Sequence, residues 1–480
     1  MARLPVFSAM ATLAVLLTAT SSGYGFHRDE LYFRVLPPAW GYVDQPPFVP
    51  LLGRLSAAIS DSPWVMRIPA TLFAVAAVAV VVLITCEFGG GRTAQTLCAW
   101  GYGFAALPLA FGHVWLTGTV DLAVWPLICL FVIRALLRNP RWWLAAGGLV
   151  GLETYNKLLI TLLVIALLLG LLAVGPWRVF GSKWLWIAAG IAVLIALPNL
   201  IYQATHHWPQ VTMGRALGDK HGDDIRAQLG PYLFLLLGPP PSIVCGVGLV
   251  ALWRRPEWRS LRLLIPALLV LLLETFLGGG QIYYPLGLLT VIFAVGCVPV
   301  GQWLDRAWRR WTTAALFAVN VVVSAVIGLP LLPLSVLGST PVPGMNQLVA
   351  DSIGWPTYVN QIGAVYRGAV AADPSTVVIA GNYGEYGAIA LYGPADRLPR
   401  PYSGHNQLYF VATPPPKTSS VVIVGDQFET VRGLFKTCTV RAHLDNGSDV
   451  DSEEQDVPVA VCTGPLTSWD QLWPSLRHFD

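Results

Sequence analysis

Four polar residues, His27-Arg28-Asp29-Glu30, directly follow the first apolar segment of the sequence, which covers residues 5–22. Long apolar segments also fill the chain from Trp64 to about Leu337. Ionisable groups beside a membrane bundle are costly to keep there and are functional-site candidates by default. A carboxylate in this position can take the proton from an attacking hydroxyl group. The Asp29-Glu30 pair is therefore the first candidate for a functional site.

Six further polar residues come from other parts of the chain but are predicted to lie at the same membrane face as Asp29 and Glu30. They are Arg67, Asp121, Lys157, Gln281, Tyr283 and Tyr284. Carboxylates and cations at one depth, beside apolar helices, suit a lipid-linked substrate with an anionic headgroup. Lysine and arginine can balance the negative charge that builds up on a phosphate leaving group.

Each of the three charged residues in this set also has a simpler interpretation. Arg67 could be an interfacial anchor that extends to the headgroups, and Asp121 could cap the N-terminus of a span. Lys157 could be a solvated residue in a turn. The sequence alone leaves these alternatives open.

The composition of the chain is that of an integral membrane protein. Of its 480 residues, 55% are hydrophobic and only 12% are charged, whereas a soluble domain carries about 25% charged residues. The net charge of +3 is too small to indicate a nucleic-acid partner. The site must therefore be positioned by membrane helices.

The apolar pattern predicts about eleven spanning segments, several of them shorter than the ~20 residues of a typical span. They cover roughly residues 5–22, 64–86, 94–112, 121–137, 142–156, 158–175, 184–203, 230–252, 262–277, 283–300 and 312–337. Only Asn156-Lys157 separates the fifth and sixth. A single helix over 142–175 would be about 50 Å long, too long for one span, so we favour a tight hairpin.

Lysine and arginine residues are more numerous in the short loops on the side of the N-terminus, which predicts that this side is cytoplasmic. An odd number of spans then places the chain after residue 337 outside the cytoplasm. The first segment could instead be a cleaved signal peptide, because Arg3 precedes it and small residues follow. That alternative leaves the sidedness of the remaining spans unchanged.

Two long loops are predicted on the outer side of this arrangement. The first, residues 24–63, contains Pro37-Pro38 and Pro46-Pro47, which predict short interfacial helices separated by breaks. The second, residues 204–228, carries His206, His207, Asp219, His221, Asp223 and Asp224. These side chains could bind a divalent cation, but we favour a solvated polar loop, and any metal requirement stays open.

The composition becomes polar after Gly338, and we divide the chain into a membrane domain, residues 1–337, and a small α/β domain, residues 338–480. Strands are predicted at 376–379, 421–424 and 457–461, alternating with helices near 355–370 and 384–392. Five cysteines lie in apolar segments. A disulfide between Cys438 and Cys462 is permitted if this domain is extracytoplasmic, but it is not required.

Several segments resemble a known family. Residues 28–32 (RDELY) and 40–47 (WGYVDQPP) look like the first extracytoplasmic loop of the bacterial protein mannosyltransferase-like enzymes. These belong to the C-type, multi-spanning glycosyltransferases, together with the aminoarabinose transferases that act on lipid A. Weaker similarities lie at Asp121, at residues 151–157, 198–203 and 208–209, and, in the C-terminal domain, at 381–388 and 402–406.

The resemblance implies a polyprenyl-phosphate sugar donor, a hydroxyl acceptor and inversion at the anomeric carbon. It also implies that Asp29 is the general base, that Glu30 supports Asp29 or the acceptor, and that Lys157 and Arg67 contact the lipid phosphate. One departure concerns Gln281, because relatives often have a lysine before the paired tyrosines. Glutamine cannot supply that positive charge.

The sequence therefore predicts a mainly α, multi-spanning membrane glycosyltransferase that moves a hexose or pentose to a protein, lipid or cell-wall glycan at the extracytoplasmic face. Two other classes of protein remain alternatives. A lipid or sugar transporter would place its charges near the midplane, often in inverted repeats, and we find no such repeat. In a non-catalytic envelope-assembly protein, Asp29 and Glu30 would be dispensable.

Overall fold

The computed structural model describes residues 1–479, except for the side chain of His221. The chain is mainly helical and divides into two compact units. The membrane unit comprises Met1–Ser21, Gln45–Phe48 and Arg67–Leu329. The C-terminal unit comprises Ser22–Asp44, Val49–Met66 and Pro330–Asp480. The structure thus groups most of the first loop with the C-terminal region, a division that differs from the boundary at residue 338 drawn from composition.

The helices of the N-terminal two thirds of the chain follow one another closely. They are α1 (Arg3–Thr20), α2 (Arg28–Val35), α3 (Phe48–Ile59), α4 (Pro63–Met66), α5 (Ile68–Glu87), α6 (Arg92–Gly103), α7 (Ala106–His113), α8 (Thr117–Leu137), α9 (Trp142–Glu153), α10 (Ile160–Val174), α11 (Lys183–Thr205), α12 (Pro209–Leu237), α13 (Pro239–Arg254), α14 (Leu264–Gly278), α15 (Leu286–Trp303) and α16 (Ala307–Gly328).

Each of the eleven predicted spans coincides with helix in the structure. Among the described residues, seven helices are long and apolar enough to cross a membrane, and a strongly bent pair could form an eighth span. The predicted spans near 94–112, 142–156 and 158–175 correspond to shorter or broken helices. A multi-pass membrane protein is thus confirmed, whereas the number eleven stays a prediction.

The break between α9 and α10 falls at residues 154–159, where the sequence predicted it. The two helices have separate partners, however. α9 packs mainly against α8 and α11, and α10 packs mainly against α14. The chain therefore breaks at Asn156-Lys157 rather than continuing as one long helix, as predicted, and the helices on either side pack against different neighbours.

The bent pair consists of the end of α12 and α13, which meet at an angle of 102°. Gly238 forms the corner with a φ of 84°, a conformation that favours glycine. A Cβ atom at residue 238 would collide with the side-chain oxygen of Asn320. A glycine is therefore required here by both backbone and packing.

The prediction of a loop over residues 204–228 was wrong, because α12 covers most of this segment. Pro209 occupies the first turn of α12, where proline is favoured. The next proline is Pro231, so nothing interrupts the helix in between. The polar composition reflects an exposed helix surface rather than irregular structure.

The first loop folds as predicted into short helices, α2, α3 and α4, with the proline pairs lying between α2 and α3. The exposed apolar residues of α3 lie on one side of the helix. They are Phe48, Leu51, Leu55 and Ile59. Such a one-sided apolar surface is typical of an interfacial helix, and the interfacial position of α3 stays a prediction.

The C-terminal segment forms a small α/β fold. Its helices are α17 (Leu334–Leu337), α18 (Val342–Met345), α19 (Gln347–Ala350), α20 (Trp355–Ala372), α21 (Tyr383–Tyr392), α22 (Gln427–Val431) and α23 (Trp469–Leu472), and its strands are β1 (Val377–Ile379), β2 (Ser420–Val424), β3 (Phe435–His443) and β4 (Pro458–Pro465). The three predicted strands and both predicted helices are present. Strand β3 was not predicted.

The four strands form one mixed sheet in the order β1-β2-β4-β3, with β1 and β2 parallel and the other pairs antiparallel. The buried residues Val421, Ile423, Val431, Trp469 and Trp473 belong to its core. Cys438 on β3 pairs directly with Cys462 on β4, and the two form a disulfide.

Candidate functional site

Asp29 stands in the first turn of α2, which is fixed by a capping box. His27 precedes the helix, and its Nδ1 accepts a hydrogen bond of 3.2 Å from the Asp29 N–H. The Glu30 carboxylate in turn accepts a 2.9 Å hydrogen bond from the His27 N–H. Such reciprocal bonds satisfy the unpaired donors at a helix start. Glu30, which is fully buried, thus holds the backbone that positions Asp29.

The Asp29 carboxylate is bound by a tyrosine from the C-terminal domain. Tyr383, the first residue of α21, donates a hydrogen bond of 2.9 Å from its hydroxyl to Oδ1 of Asp29. Asp29 is half-buried, and its other oxygen has no hydrogen-bond partner among the described residues. The result is a carboxylate with one oxygen held in place and one open, as a general base requires.

Tyr383 is itself held by two neighbouring rings. It stacks on Tyr32, with 4.7 Å between the ring centroids, and on His405, with 5.0 Å. The Tyr383 N–H also donates to Nδ1 of His405 at 3.0 Å. Burial raises the pKa of Tyr383 well above its ordinary value. The hydroxyl therefore stays protonated and continues to donate to Asp29.

Several buried carboxyl groups surround this arrangement. Burial raises the pKa of Glu385 to about 8, and it also raises the pKa values of Asp351 and Glu454. These groups favour the protonated form more than exposed carboxylates do, which limits the negative charge near Asp29. Arg28 supplies positive charge, because it pairs with Glu453 and lies over the ring of Tyr383 at 4.7 Å.

A second polar cluster lies in the membrane unit around Lys157. Its ammonium group donates a hydrogen bond of 2.6 Å to the hydroxyl of Tyr283 and lies 5.7 Å from the ring centroid of Tyr284. The two tyrosines precede α15, and Phe111 packs edge-on against Tyr283. Lys157 is thus held by aromatic groups, and the interpretation as a solvated turn residue was wrong.

The carboxyl groups of this second cluster share one amide donor. Asn156 donates to Asp121 at 3.0 Å and to Glu153 at 2.6 Å. Asp121 lies in the second turn of α8, which begins at Thr117, so the alternative that Asp121 caps the helix was wrong. The predicted span began too late because residues 117–120 carry little hydrophobic signal.

Asp121, Tyr283 and Tyr284 line a narrow cleft together with apolar residues. The others are Leu107, Phe111, Gly118, Leu122, Trp125, Leu286, Gly287 and Thr290. The open volume is about 20 Å³, enough for about one water molecule. A lipid phosphate can enter this cleft only if the side chains around it move.

Arg67 and Gln281 occupy separate positions. Arg67 is only 1% exposed, and its guanidinium donates to the carbonyl of Ser21 at 2.6 Å and lies 3.1 Å from Nε2 of His113. It is therefore not an anchor exposed to the headgroups. Gln281 lies in the turn before α15, where its carbonyl accepts a hydrogen bond from the Tyr284 N–H. Gln281 thus helps to shape the turn that carries the tyrosines.

Among the described residues, no group of three or more histidine, cysteine, aspartate or glutamate side chains is arranged to hold a metal ion. Asp223, one of the residues considered in the sequence, is paired with Arg226 at 2.6 Å. The side chain of His221 lies outside the described residues.

Sequence reasoning overlooked two groups of residues. Glu153 and His113 are ionisable residues in apolar segments, and that signal alone could have singled them out. Asp351, Glu385 and Glu454 lie in the polar C-terminal region, where carboxylates are common and carry no such signal.

The chain is similar to known proteins both in sequence and in structure. Residues 44–202 match the model of a family described as dolichyl-phosphate-mannose-protein mannosyltransferase. The structure resembles that of ArnT from Cupriavidus metallidurans in the apo state, with a TM-score of 0.57 and 13% sequence identity. The similarity covers 95% of this chain and 97% of that chain. The protein has the fold of a C-type glycosyltransferase.

Two further structures agree with this fold. ArnT bound to undecaprenyl phosphate, from the same organism, gives a TM-score of 0.56 at 14% identity over 95% of this chain and 97% of that chain. The arabinofuranosyltransferase AftD from Mycobacteria gives 0.50 at 13% identity over 97% of this chain and 41% of that chain. No curated protein matches the sequence. The resemblance of this C-type chain to the mannosyltransferase-like family, first inferred from its motifs, is confirmed.

Proposed function

We propose that the protein is a membrane glycosyltransferase that moves a sugar from a polyprenyl-phosphate donor to a hydroxyl acceptor. The observation that carries this proposal is the Asp29 carboxylate, held on one oxygen by Tyr383 and open on the other. The match to the mannosyltransferase family model and the likeness to ArnT, which has been solved with undecaprenyl phosphate, support the choice of donor.

The proposed reaction is a single displacement at the anomeric carbon. The acceptor oxygen forms a bond to this carbon while the bond between the carbon and the phosphate oxygen breaks, so that the configuration is inverted. The proton of the acceptor hydroxyl passes to the open oxygen of Asp29. Polyprenyl phosphate leaves with the electron pair of the broken bond.

Lys157 is the proposed contact of the departing phosphate. Its ammonium group is already oriented by Tyr283, and a fixed cation stabilises negative charge that develops during the reaction. Tyr283 and Tyr284 supply aromatic surface beside it. In this proposal Asp121 orients Lys157 and its neighbours through Asn156, whereas Arg67 contributes through its contacts with Ser21 and His113.

We also propose that the reaction takes place on the extracytoplasmic side. The bias of lysine and arginine towards the loops on the N-terminal side supports this orientation. The disulfide between Cys438 and Cys462 also supports it, because structural disulfides persist in oxidising compartments. Reporter fusions placed after Gly338 should behave as exported proteins. A cytoplasmic signal would overturn the proposed sidedness.

The activity can be tested with the purified protein in lipid nanodiscs and a panel of polyprenyl-phosphate sugars. Free polyprenyl phosphate should be released with one class of sugar, and faster when a hydroxyl acceptor is added. Peptide, lipid and glycan acceptors can be compared in the same assay. Movement of the lipid across the bilayer of a vesicle without release of polyprenyl phosphate would instead favour a transporter.

A further inference from the structure

A cavity of about 400 Å³ in the C-terminal unit is lined by three arginines. Arg34 comes from α2, Arg54 from α3 and Arg400 from the segment after α21. The rest of the lining is mostly apolar and includes Val35, Ile389, Ala390, Leu391, Pro394, Leu398 and Pro399. This volume lies in the range of small-molecule sites, which combine apolar walls with a few convergent polar groups. We refer to it as the arginine cavity.

The positive charge of the arginine cavity is only partly balanced. Arg34 pairs with Asp61 at 2.5 Å, but its Nη1 is buried without a hydrogen-bond partner among the described residues. Arg54 donates to the carbonyl of Leu36 at 2.8 Å, and Arg400 donates to the hydroxyl of Tyr386 at 3.0 Å. Two of the three guanidinium groups are thus held by neutral acceptors.

The other charged groups nearby are already engaged. Glu30 is bound to the His27 N–H at the start of α2, and Asp396 pairs with Arg367 at 3.4 Å. Buried donors without partners are costly, and planar guanidinium groups match the geometry of phosphate oxygens. The charge of Arg54 and Arg400, which only neutral acceptors bind, therefore favours an anionic ligand, and phosphate in particular.

The surface beside the cavity indicates that the ligand also has an apolar part. α3 exposes Leu51, Leu55 and Ile59, and Arg54 lies about 60° from Leu51 around the helix axis. Arg54 thus stands at the edge of the exposed apolar face. A ligand whose charged group contacts Arg54 can extend its apolar part over this face or over the apolar wall of the cavity.

The arginine cavity is distinct from the Asp29 site. Five residues separate Asp29 from Arg34 on α2, which corresponds to about 140° around the helix axis. The two side chains therefore leave the helix on different faces. Binding in the cavity requires no catalytic step, so that this inference does not depend on the proposed glycosyltransferase activity.

We propose that the arginine cavity binds the phosphate headgroup of an amphiphile. Arg54 and Arg400 contact the phosphate oxygens, and Arg34 adds positive charge to the cavity. The apolar part of the ligand lies against Leu391 and the exposed face of α3.

The test uses the full-length protein in phosphatidylcholine nanodiscs, with decyl phosphate as the probe and empty nanodiscs as the blank. Decyl phosphate should bind, whereas decanol and inorganic phosphate should each bind at least about tenfold more weakly. Inorganic phosphate that binds as tightly as decyl phosphate would overturn the amphiphilic ligand. Decanol that binds as tightly would overturn the role of the arginines.

Variants locate the binding site. Arg54→Gln/Arg400→Gln should weaken decyl phosphate binding roughly tenfold or more. Lys417→Gln/Arg441→Gln removes the same charge from exposed positions outside the cavity and should bind like the parent. Arg54→Lys/Arg400→Lys keeps the charge but loses the planar donors, and it should bind decyl phosphate with an intermediate affinity. This variant replaces the glutamine variant in the test if the glutamine variant does not fold. Equal weakening in the exposed control pair, or none in the cavity variants, would contradict the proposal.

Discussion

Asp29 in the C-terminal unit and Asp121 in the membrane unit have different kinds of partner. Asp29 accepts one hydrogen bond from the Tyr383 hydroxyl, and its second oxygen has no hydrogen-bond partner among the described residues. Asp121 accepts a hydrogen bond from the Asn156 amide, which also donates to Glu153. Both aspartates were candidates from the sequence, and only their partners distinguish them.

This difference separates two tasks. A carboxylate that shares one amide with a second carboxyl group, next to a lysine, is placed to position these neighbours. A carboxylate that is held on one side only can be both oriented and reactive. We therefore expect Asp29 to act on the acceptor proton, and Asp121 to act through Asn156 and Lys157.

The largest effect is expected for Asp29→Asn, which keeps the size of the side chain but removes its basicity. Turnover should fall by roughly 10²–10⁴, the usual contribution of a positioned acid–base group, while donor binding changes little. The measurement is the rate of polyprenyl phosphate release at saturating donor. Near-normal turnover would remove Asp29 from the mechanism.

Glu30→Gln is the matched control for this variant. Glutamine can also close a capping box, so that the start of α2 and most of the turnover should survive if Glu30 acts through the helix backbone. A loss as large as that of Asp29→Asn would instead support the catalytic role of Glu30 that the family resemblance implied.

The next largest effect concerns donor affinity. Lys157→Ala should weaken binding of the phosphate-bearing lipid by roughly ten- to a hundredfold, because a hydrogen bond to a charged group contributes about 1.5–3 kcal/mol. Lys157→Ala/Gln281→Lys should recover part of this loss. Arg67→Ala separates phosphate binding from structural support, since loss of its Ser21 and His113 contacts should lower stability. Donor affinity unchanged in both single variants would mean that other residues hold the phosphate.

Much of the fold could be predicted because its signals are local. The proline pairs of the first loop separate α2 from α3, and runs of valine and isoleucine mark β1 and β2. β3 was missed because Lys436, Thr437, Thr439 and Arg441 expose their side chains, so that this strand lacks a buried apolar run. α12 was missed for the related reason that an exposed helix can be as polar as a loop.

The candidate site could be predicted only as a set of residues. Asp29 and Lys157 stood out because charge beside apolar segments is costly. The hydrogen bond between Asp29 and Tyr383, by contrast, joins residues that are 354 positions apart. No local pattern encodes such a pair, and the same holds for the bond between Lys157 and Tyr283.

A smaller effect is expected for Tyr383→Phe, which removes the hydroxyl bound to Asp29 but keeps the ring that stacks on Tyr32 and His405. The hydroxyl fixes the orientation of the carboxylate, so that its loss should lower turnover severalfold while the thermal unfolding temperature changes little. Turnover equal to that of the parent would show that Tyr383 does not orient Asp29, and a large fall in the unfolding temperature would indicate that Tyr383 supports the fold.

The smallest effect at neutral pH is expected for Glu385→Gln, because burial raises the pKa of Glu385 to about 8 and the group is already largely protonated. The native state keeps this proton over a pH range in which the unfolded chain, with an ordinary pKa near 4.3, has lost it. The resulting stability is present at low pH and is lost as the pH rises through about 8, by up to ~1.4 kcal/mol per pH unit.

Glutamine retains the capping box at the start of α21 but cannot titrate. Thermal unfolding of the two proteins between pH 6 and 9 should therefore show a steeper decline for the parent. Parallel curves would mean that Glu385 is already ionised in the native state, and that the charge around Asp29 is more negative than we infer.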